Sequence, residues 1–102
     1  IQEYLEKERN SDFRTEYKQG ELRNLTGASF NHNKIIINLI KKITQTSSLP
    51  DLDLLSSEMK VWIPAKETFY YPDILILQNP PIFYDSANDI LTNPICIFEV
   101  LS

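Results

Sequence analysis

Two acidic residues stand where acids are costly to keep. Asp73 lies between Pro72 and the run Ile74-Leu75-Ile76-Leu77, and Glu99 lies between Ile95-Cys96-Ile97-Phe98 and Val100-Leu101. Apolar runs of this kind read as core strands, where an unpaired carboxylate is strongly disfavoured unless a cation, a metal or good donors compensate it. Two carboxylates on neighbouring strands and facing the same side would form a hard oxygen cage of the kind that holds Mg²⁺ or Mn²⁺. Two plainer readings stay open. Asp73 could cap a turn, since Pro72 favours a strand's edge or first residue, and Glu99 could pair with Lys60 or with a residue beyond Ser102.

His32 and Glu16 are lesser candidates. His32 shares the edge of a helical stripe with Ile36, Leu39 and Ile43, so it points toward whatever that helix covers. Glu16 has a structural alternative as the cross-strand partner of Arg23. Trp62, Phe69, Tyr70 and Tyr71 read as sheet packing, with base stacking as the other use of such a patch.

The elements that must position these groups follow from periodicity. Ile1, Tyr4, Leu5 and Glu8 have the spacing of a short amphipathic helix that ends at Asn10, Ser11 and Asp12. Thr15 to Leu25 reads as a hairpin turning at Gln19-Gly20, because glycine accepts positive φ there; that register sets Tyr17 against Leu22 and Glu16 against Arg23. After Gly27-Ala28, with Ser29 or Asn31 as the cap, Ile35, Ile36, Leu39, Ile40 and Ile43 mark a longer helix with Lys34, Lys41, Lys42 and Gln45 outside. Ser47 to Asp53 is a polar loop. Ser56 to Ile63 alternates as a half-buried strand, with Met59, Val61 and Ile63 on one face. Phe69 to Leu77 and Pro94 to Leu101 read as central strands covered on both sides, separated by a long loop from Gln78 to Asn93.

Composition bounds the class. The 102 residues suit one domain, and 42% hydrophobic with 24% charged residues is ordinary for a globular chain. The apolar runs fall far short of the ~20 residues of a membrane-spanning helix, so a soluble, cytoplasmic protein is expected. Cys96, the single cysteine, is expected to be a small buried hydrophobe in a reducing compartment. A net charge of −4 counts against this chain alone clamping a phosphate backbone.

Five strings in order carry a resemblance: Glu16-Tyr17-Lys18-Gln19-Gly20-Glu21; Gly27-Ala28-Ser29 with His32 and Asn38-Leu39; Ser57-Glu58-Met59-Lys60-Val61; Tyr71-Pro72-Asp73-Ile74; and Asn93-Pro94 through Glu99-Val100-Leu101-Ser102. Together they resemble the Uma-type restriction endonuclease family, which is similar to the PD-(D/E)XK nucleases. The resemblance implies an α+β fold, a mixed sheet flanked by helices, with residues 1–102 as one incomplete restriction-endonuclease-like domain lacking its C-terminal part. It further implies Asp73 and Glu99 as ligands of Mg²⁺ or Mn²⁺, Glu16 and His32 as further members of the site, DNA as substrate and metal-assisted phosphodiester hydrolysis as the reaction. One departure stands out. A lysine two places after Glu99 would complete the superfamily motif, and Leu101 is there instead. The isolated chain is therefore expected to cut poorly or not at all. The competing expectations are a nuclease-like module that binds nucleic acid or protein without cutting, and a fragment with no function alone. The apolar strand Pro94 to Leu101 is expected to need cover from further chain or from a second copy in a homodimer.

Overall fold

The computed structural model describes residues 1–46, 51–86 and 88–101. The first helix, α1 (Gln2–Arg9), buries Tyr4 and Leu5 on one side and leaves its charges outside. Strands β1 (Thr15–Lys18) and β2 (Glu21–Asn24) form the expected hairpin, with Tyr17 opposite Leu22 and Glu16 opposite Arg23. The turn works because Gln19 (φ 51°) and Gly20 (φ 89°) both adopt positive φ, the geometry that matches the twist of the flanking strands.

Helix α2 (Phe30–Thr46) is capped by Ser29 rather than Asn31, the Ser29 hydroxyl accepting the His32 N–H at 3.1 Å. Its stripe is less deeply covered than the periodicity suggests. Ile36 is buried and Leu39, Ile40 and Ile43 are half-buried, but Ile35 is 46% exposed. The expected loop from Ser47 to Asp53 falls partly outside the described residues, and its last two residues already belong to Asp51 and the strands that follow.

Two sheets make up the rest. The first is mixed, in the order β2-β1-β5-β4-β7, from β5 (Thr68–Tyr70), β4 (Lys60–Ile63) and β7 (Ile90–Leu91), with β4 and β7 parallel and the other pairs antiparallel. The second is antiparallel, in the order β3-β6-β8, from β3 (Leu52–Ser56), β6 (Ile74–Gln78) and β8 (Pro94–Phe98). The fold is thus α+β with a mixed sheet, as expected, but the single sheet is split in two. Both readings of a continuous strand are corrected. Ser56 to Ile63 contains a turn closed by the Met59 N–H on the Ser56 carbonyl, which separates β3 from β4. Phe69 to Leu77 breaks at Tyr71-Pro72, where proline has no N–H to give a ladder, and its halves join different sheets.

The core has two compartments, one on each face of the mixed sheet. Tyr4 and Leu5 of α1 pack on Phe69 and Ile90, flanked by Tyr17, Trp62 and Tyr84; the Trp62 and Phe69 rings stack at 4.3 Å. On the other face Val61 and Leu91 meet Leu75 and Leu77 of the second sheet. The β7 residues Ile90 and Leu91, inside the stretch read as loop, are thus core.

Strand β8 is an edge strand, not a central one. Ile95 is 58% exposed, and Cys96 and Glu99 are exposed as well, which corrects the expectation of a buried cysteine and a buried glutamate. The physical reason is that β8 pairs only with β6, and no described layer covers its outer side. No described helix is long and apolar enough to cross a membrane.

Candidate active site

Register brings the two carboxylates together. Ile74 pairs with Phe98, so one step further along this antiparallel ladder Asp73 lies opposite Glu99, and paired residues project to the same face. By the same alternation both continue the face of Leu75 and Ile97, which looks toward the mixed sheet. Pro72, fully buried, ends the preceding extended segment and pins the point at which the chain enters β6.

Each carboxylate is held by particular donors. Asp73 Oδ2 accepts the Val100 N–H at 2.8 Å, and Asp73 Oδ1 lies 3.3 Å from His32 Nε2. Glu16 Oε2 accepts the Tyr71 N–H at 3.0 Å. The alternative partners suggested for these acids are not the ones used: Arg23 faces Glu16 across the hairpin without forming an ion pair among the described residues, and Lys60 pairs with Glu8 instead of Glu99. The four residues singled out in the sequence, Glu16, His32, Asp73 and Glu99, therefore converge from β1, α2, the start of β6 and the end of β8.

Like charges crowd at this point. Burial first, then the nearby Asp73 and Glu16 carboxylates, push the Glu99 carboxyl up to about 7. The exposed side of Glu99 faces solvent, which screens part of that repulsion. The Tyr70 hydroxyl is likewise pushed up, chiefly by burial and then by Glu99 and Glu16, so its ring stands beside the same cluster.

A site with this excess of negative charge suits a hard cation. Among the described residues no three His, Cys, Asp or Glu side chains are arranged to hold a metal ion together. Asp73 and Glu99 form a two-carboxylate set, and Mg²⁺ is commonly held by one or two carboxylates with water and substrate phosphate completing its shell. The residues fit that mode. The buried His32 Nδ1 has no hydrogen-bond partner, leaving polar capacity unused at the same place.

An open cleft of about 610 Å³ leads to the cluster. His32 and Asp73 lie in its wall with Arg14, Arg23, Asn33 and Tyr71. Arg14 donates to the Ser57 carbonyl at 2.6 Å and sits 5.3 Å from the centre of the Tyr71 ring.

Behind the cluster is a network that residue types alone did not single out. The Glu8 carboxylate accepts hydrogen bonds from the Tyr71 hydroxyl, from Thr15 N (3.1 Å) and from Thr15 Oγ1 (2.7 Å), and pairs with Lys60 Nζ at 3.1 Å. Burial opposes the Glu8 charge, but Tyr71, Thr15 and Lys60 outweigh it and hold the carboxyl below its usual range. Burial draws the Lys60 amine down despite Glu8. The one available signal was Lys60 itself, a charge directly before Val61 and Trp62 in an apolar strand.

Comparison with known proteins places this architecture. No solved structure matches the chain. The chain is 35% identical over 100 residues to the uncharacterized protein sll1609 of Synechocystis sp., an alignment that covers 98% of the chain and 56% of that relative, so the chain spans about half the length of the curated protein it matches. A family model matches residues 1–102 throughout, and the chain belongs to the family that it describes, "Uma2: Putative restriction endonuclease".

Proposed function

We propose that this chain carries the carboxylate centre of a nuclease that hydrolyses DNA phosphodiester bonds with Mg²⁺ or Mn²⁺. The observation that supports this most is the opposition of Asp73 and Glu99 across the β6–β8 ladder, at the mouth of a cleft that also contains arginines. Asp73 and Glu99 would hold the ion. When bound, the ion would activate water and stabilise charge on the phosphate and the leaving oxygen. The Val100 N–H and His32 would fix the Asp73 carboxylate, and the Tyr71 N–H would fix Glu16. Positioning of this kind matters because a catalytic group a fraction of an ångström out of place loses much of its effect. We place the reaction in the cytoplasm, and we propose a homodimer in which two copies cover their exposed β8 edges.

The test is cleavage of plasmid DNA by the full protein in Mg²⁺ or Mn²⁺, with Asp73→Ala and Glu99→Ala as controls. Metal-dependent cutting lost in both variants is expected. A protein that neither cuts nor binds either ion would refute the reading. A second reading, a nuclease-like module that binds nucleic acid without cutting, is favoured by Leu101 at the place of the motif lysine and by the net charge of −4. DNA binding without cleavage at any metal concentration would select it.

A further inference from the structure

The face of the mixed sheet that bears Glu16 does not end at the acidic cluster. Two residues along β1 it opens into a second hollow, of about 470 Å³, walled by Lys18, Ile63, Lys66, Thr68 and Tyr70. Register explains the grouping. Lys18 pairs with Thr68 and Thr68 pairs with Ile63, so these side chains stand in one row across β1, β5 and β4. The neighbouring row on the same face is Glu16, Tyr70 and Val61, since Tyr70 pairs with Val61 and the β1–β5 ladder extended by one residue sets Glu16 against Tyr70. Tyr70 therefore borders both the acidic cluster and the hollow. Lys66 enters from the single 3-10 turn Pro64–Lys66, after which Glu67 (φ 48°) reverses the chain into β5.

The charges along this face are sorted. Lys18 and Lys66 are exposed and, among the described residues, neither forms an ion pair. Arg14 and Arg23, also in no ion pair among those residues, lie in the first cleft with His32 and Asp73. In a chain of net charge −4, cations thus stand on both sides of an acidic centre. A polyanionic strand requires that arrangement, because carboxylates repel its phosphates unless flanking cations hold them in place. An aromatic wall and an apolar floor between two ammonium groups fit a phosphate that carries a flat base.

We propose that Lys18, Lys66 and Tyr70 form a nucleotide subsite that holds one nucleotide of the strand being cut, next to the phosphodiester at Asp73 and Glu99. The lysines take its phosphate, and its base lies against Tyr70 and Ile63. This rests on the nuclease reading above and assigns it a substrate track.

The experiment is fluorescence anisotropy of a short labelled single-stranded DNA titrated with the protein over a range of salt, without divalent metal. The Lys18→Ala/Lys66→Ala double variant is expected to bind about tenfold or more weaker at low salt, with a log–log salt slope flatter by roughly 1.4, since each lost phosphate contact to a single strand removes about 0.7. The charge-matched control Lys41→Ala/Lys42→Ala, on the outer face of α2, should leave the slope nearly unchanged. Tyr70→Leu should weaken binding about fivefold or more with no change in slope, and Tyr70→Phe should bind like the wild type. Thermal melts show whether each variant is folded. Wild-type binding that survives the Lys18/Lys66 change, or falls equally in the Lys41/Lys42 control, overturns the subsite and leaves the nuclease reading intact if Asp73→Ala still abolishes cleavage. No binding and no cleavage by the wild type would overturn both.

Discussion

Replacing Glu8 by alanine should damage this fold more than any change at its surface. The Glu8 and Lys60 side chains are only 8% and 6% exposed, 3.1 Å apart. Without the carboxylate, Lys60 is a buried ammonium with no counter-charge, and the Tyr71 hydroxyl and both Thr15 donors lose their acceptor. Removing one partner of a buried pair costs about 3–5 kcal/mol, a large share of the roughly 5–15 kcal/mol that holds a small domain. The reverse substitution, Lys60→Met, should cost less, about 1–3 kcal/mol, because Glu8 keeps its other donors and the desolvated ammonium is gone. Its amine is already pulled down by burial more strongly than Glu8 can offset. Urea titration followed by the fluorescence of Trp62, the single tryptophan, measures both. The pH dependence has a fixed sign. Glu8 is held below its usual value of 4.5, so its contribution is present above that value and fades as pH falls toward the lower folded value. Glu8→Gln should accordingly differ least from the wild type in acid. A Glu8→Ala loss within about 0.5 kcal/mol, the range of ordinary surface changes, or a larger loss for Lys60→Met, would refute this reasoning.

Other expectations can be checked on the same protein. Glu99 is pushed up to about 7, so between 4.5 and that value the folded chain holds a proton the unfolded chain has lost, and this group makes stability fall as pH rises through the window. In metal-free buffer Glu99→Gln should flatten that fall by about 1 kcal/mol, well below the ~3 kcal/mol of the full shift, because solvent screens an exposed carboxylate; parallel pH profiles would count against the crowding of Asp73, Glu16 and Glu99. Leu39→Ala, at a half-buried site, should cost about 1–2 kcal/mol and Ile36→Ala about 2–4 kcal/mol, against less than ~0.5 for Lys42→Ala; equal midpoints in a denaturant titration would refute the facing of α2. Calorimetric titration with Mn²⁺ should give heat with the wild type and little with Asp73→Asn, and identical isotherms would exclude Asp73 as a ligand. Light scattering in dilute solution should report a dimer, and a strictly monomeric chain at all concentrations would overturn the pairing of β8 edges.

Local rules were legible in the sequence where one short stretch decides the outcome. The Gln19-Gly20 turn set the hairpin register by itself, and the Ser29 hydroxyl with the isoleucine stripe set the start and facing of α2. The candidate site was legible for a different reason: Asp73 and Glu99 looked out of place, and the ladder does bring them opposite one another. What stayed hidden depends on which sheet a strand joins. Phe69 to Leu77 is apolar on both faces whether it is one strand or two, so only the missing N–H of Pro72 hinted at the break between the sheets. The same ambiguity made β8 look central. An apolar strand reads alike at the centre and at an edge, and Ile95, Cys96 and Glu99 proved exposed. The Glu8–Lys60 pair joins α1 to β4 across most of the mixed sheet, and charged residues at such separation carry no periodic signal.

The two main-chain donors at the site offer a way to watch it without labels or substrate. The Tyr71 N–H ends on Glu16 and the Val100 N–H ends on Asp73, so neither amide is satisfied by a strand ladder. In a ¹H–¹⁵N correlation spectrum, these two resonances would sense the state of the two acids directly. A cation that drew charge from Asp73 would shift Val100 upfield and speed its exchange with solvent, while a change confined to Glu16 would move Tyr71 alone. Because the Tyr71 ring is also tied to Glu8, its side-chain signals would register loosening of the scaffold separately from events at the carboxylates. One residue's backbone and ring thus report on two different processes, and a spectrum of the intact chain can tell loss of the site from loss of the fold.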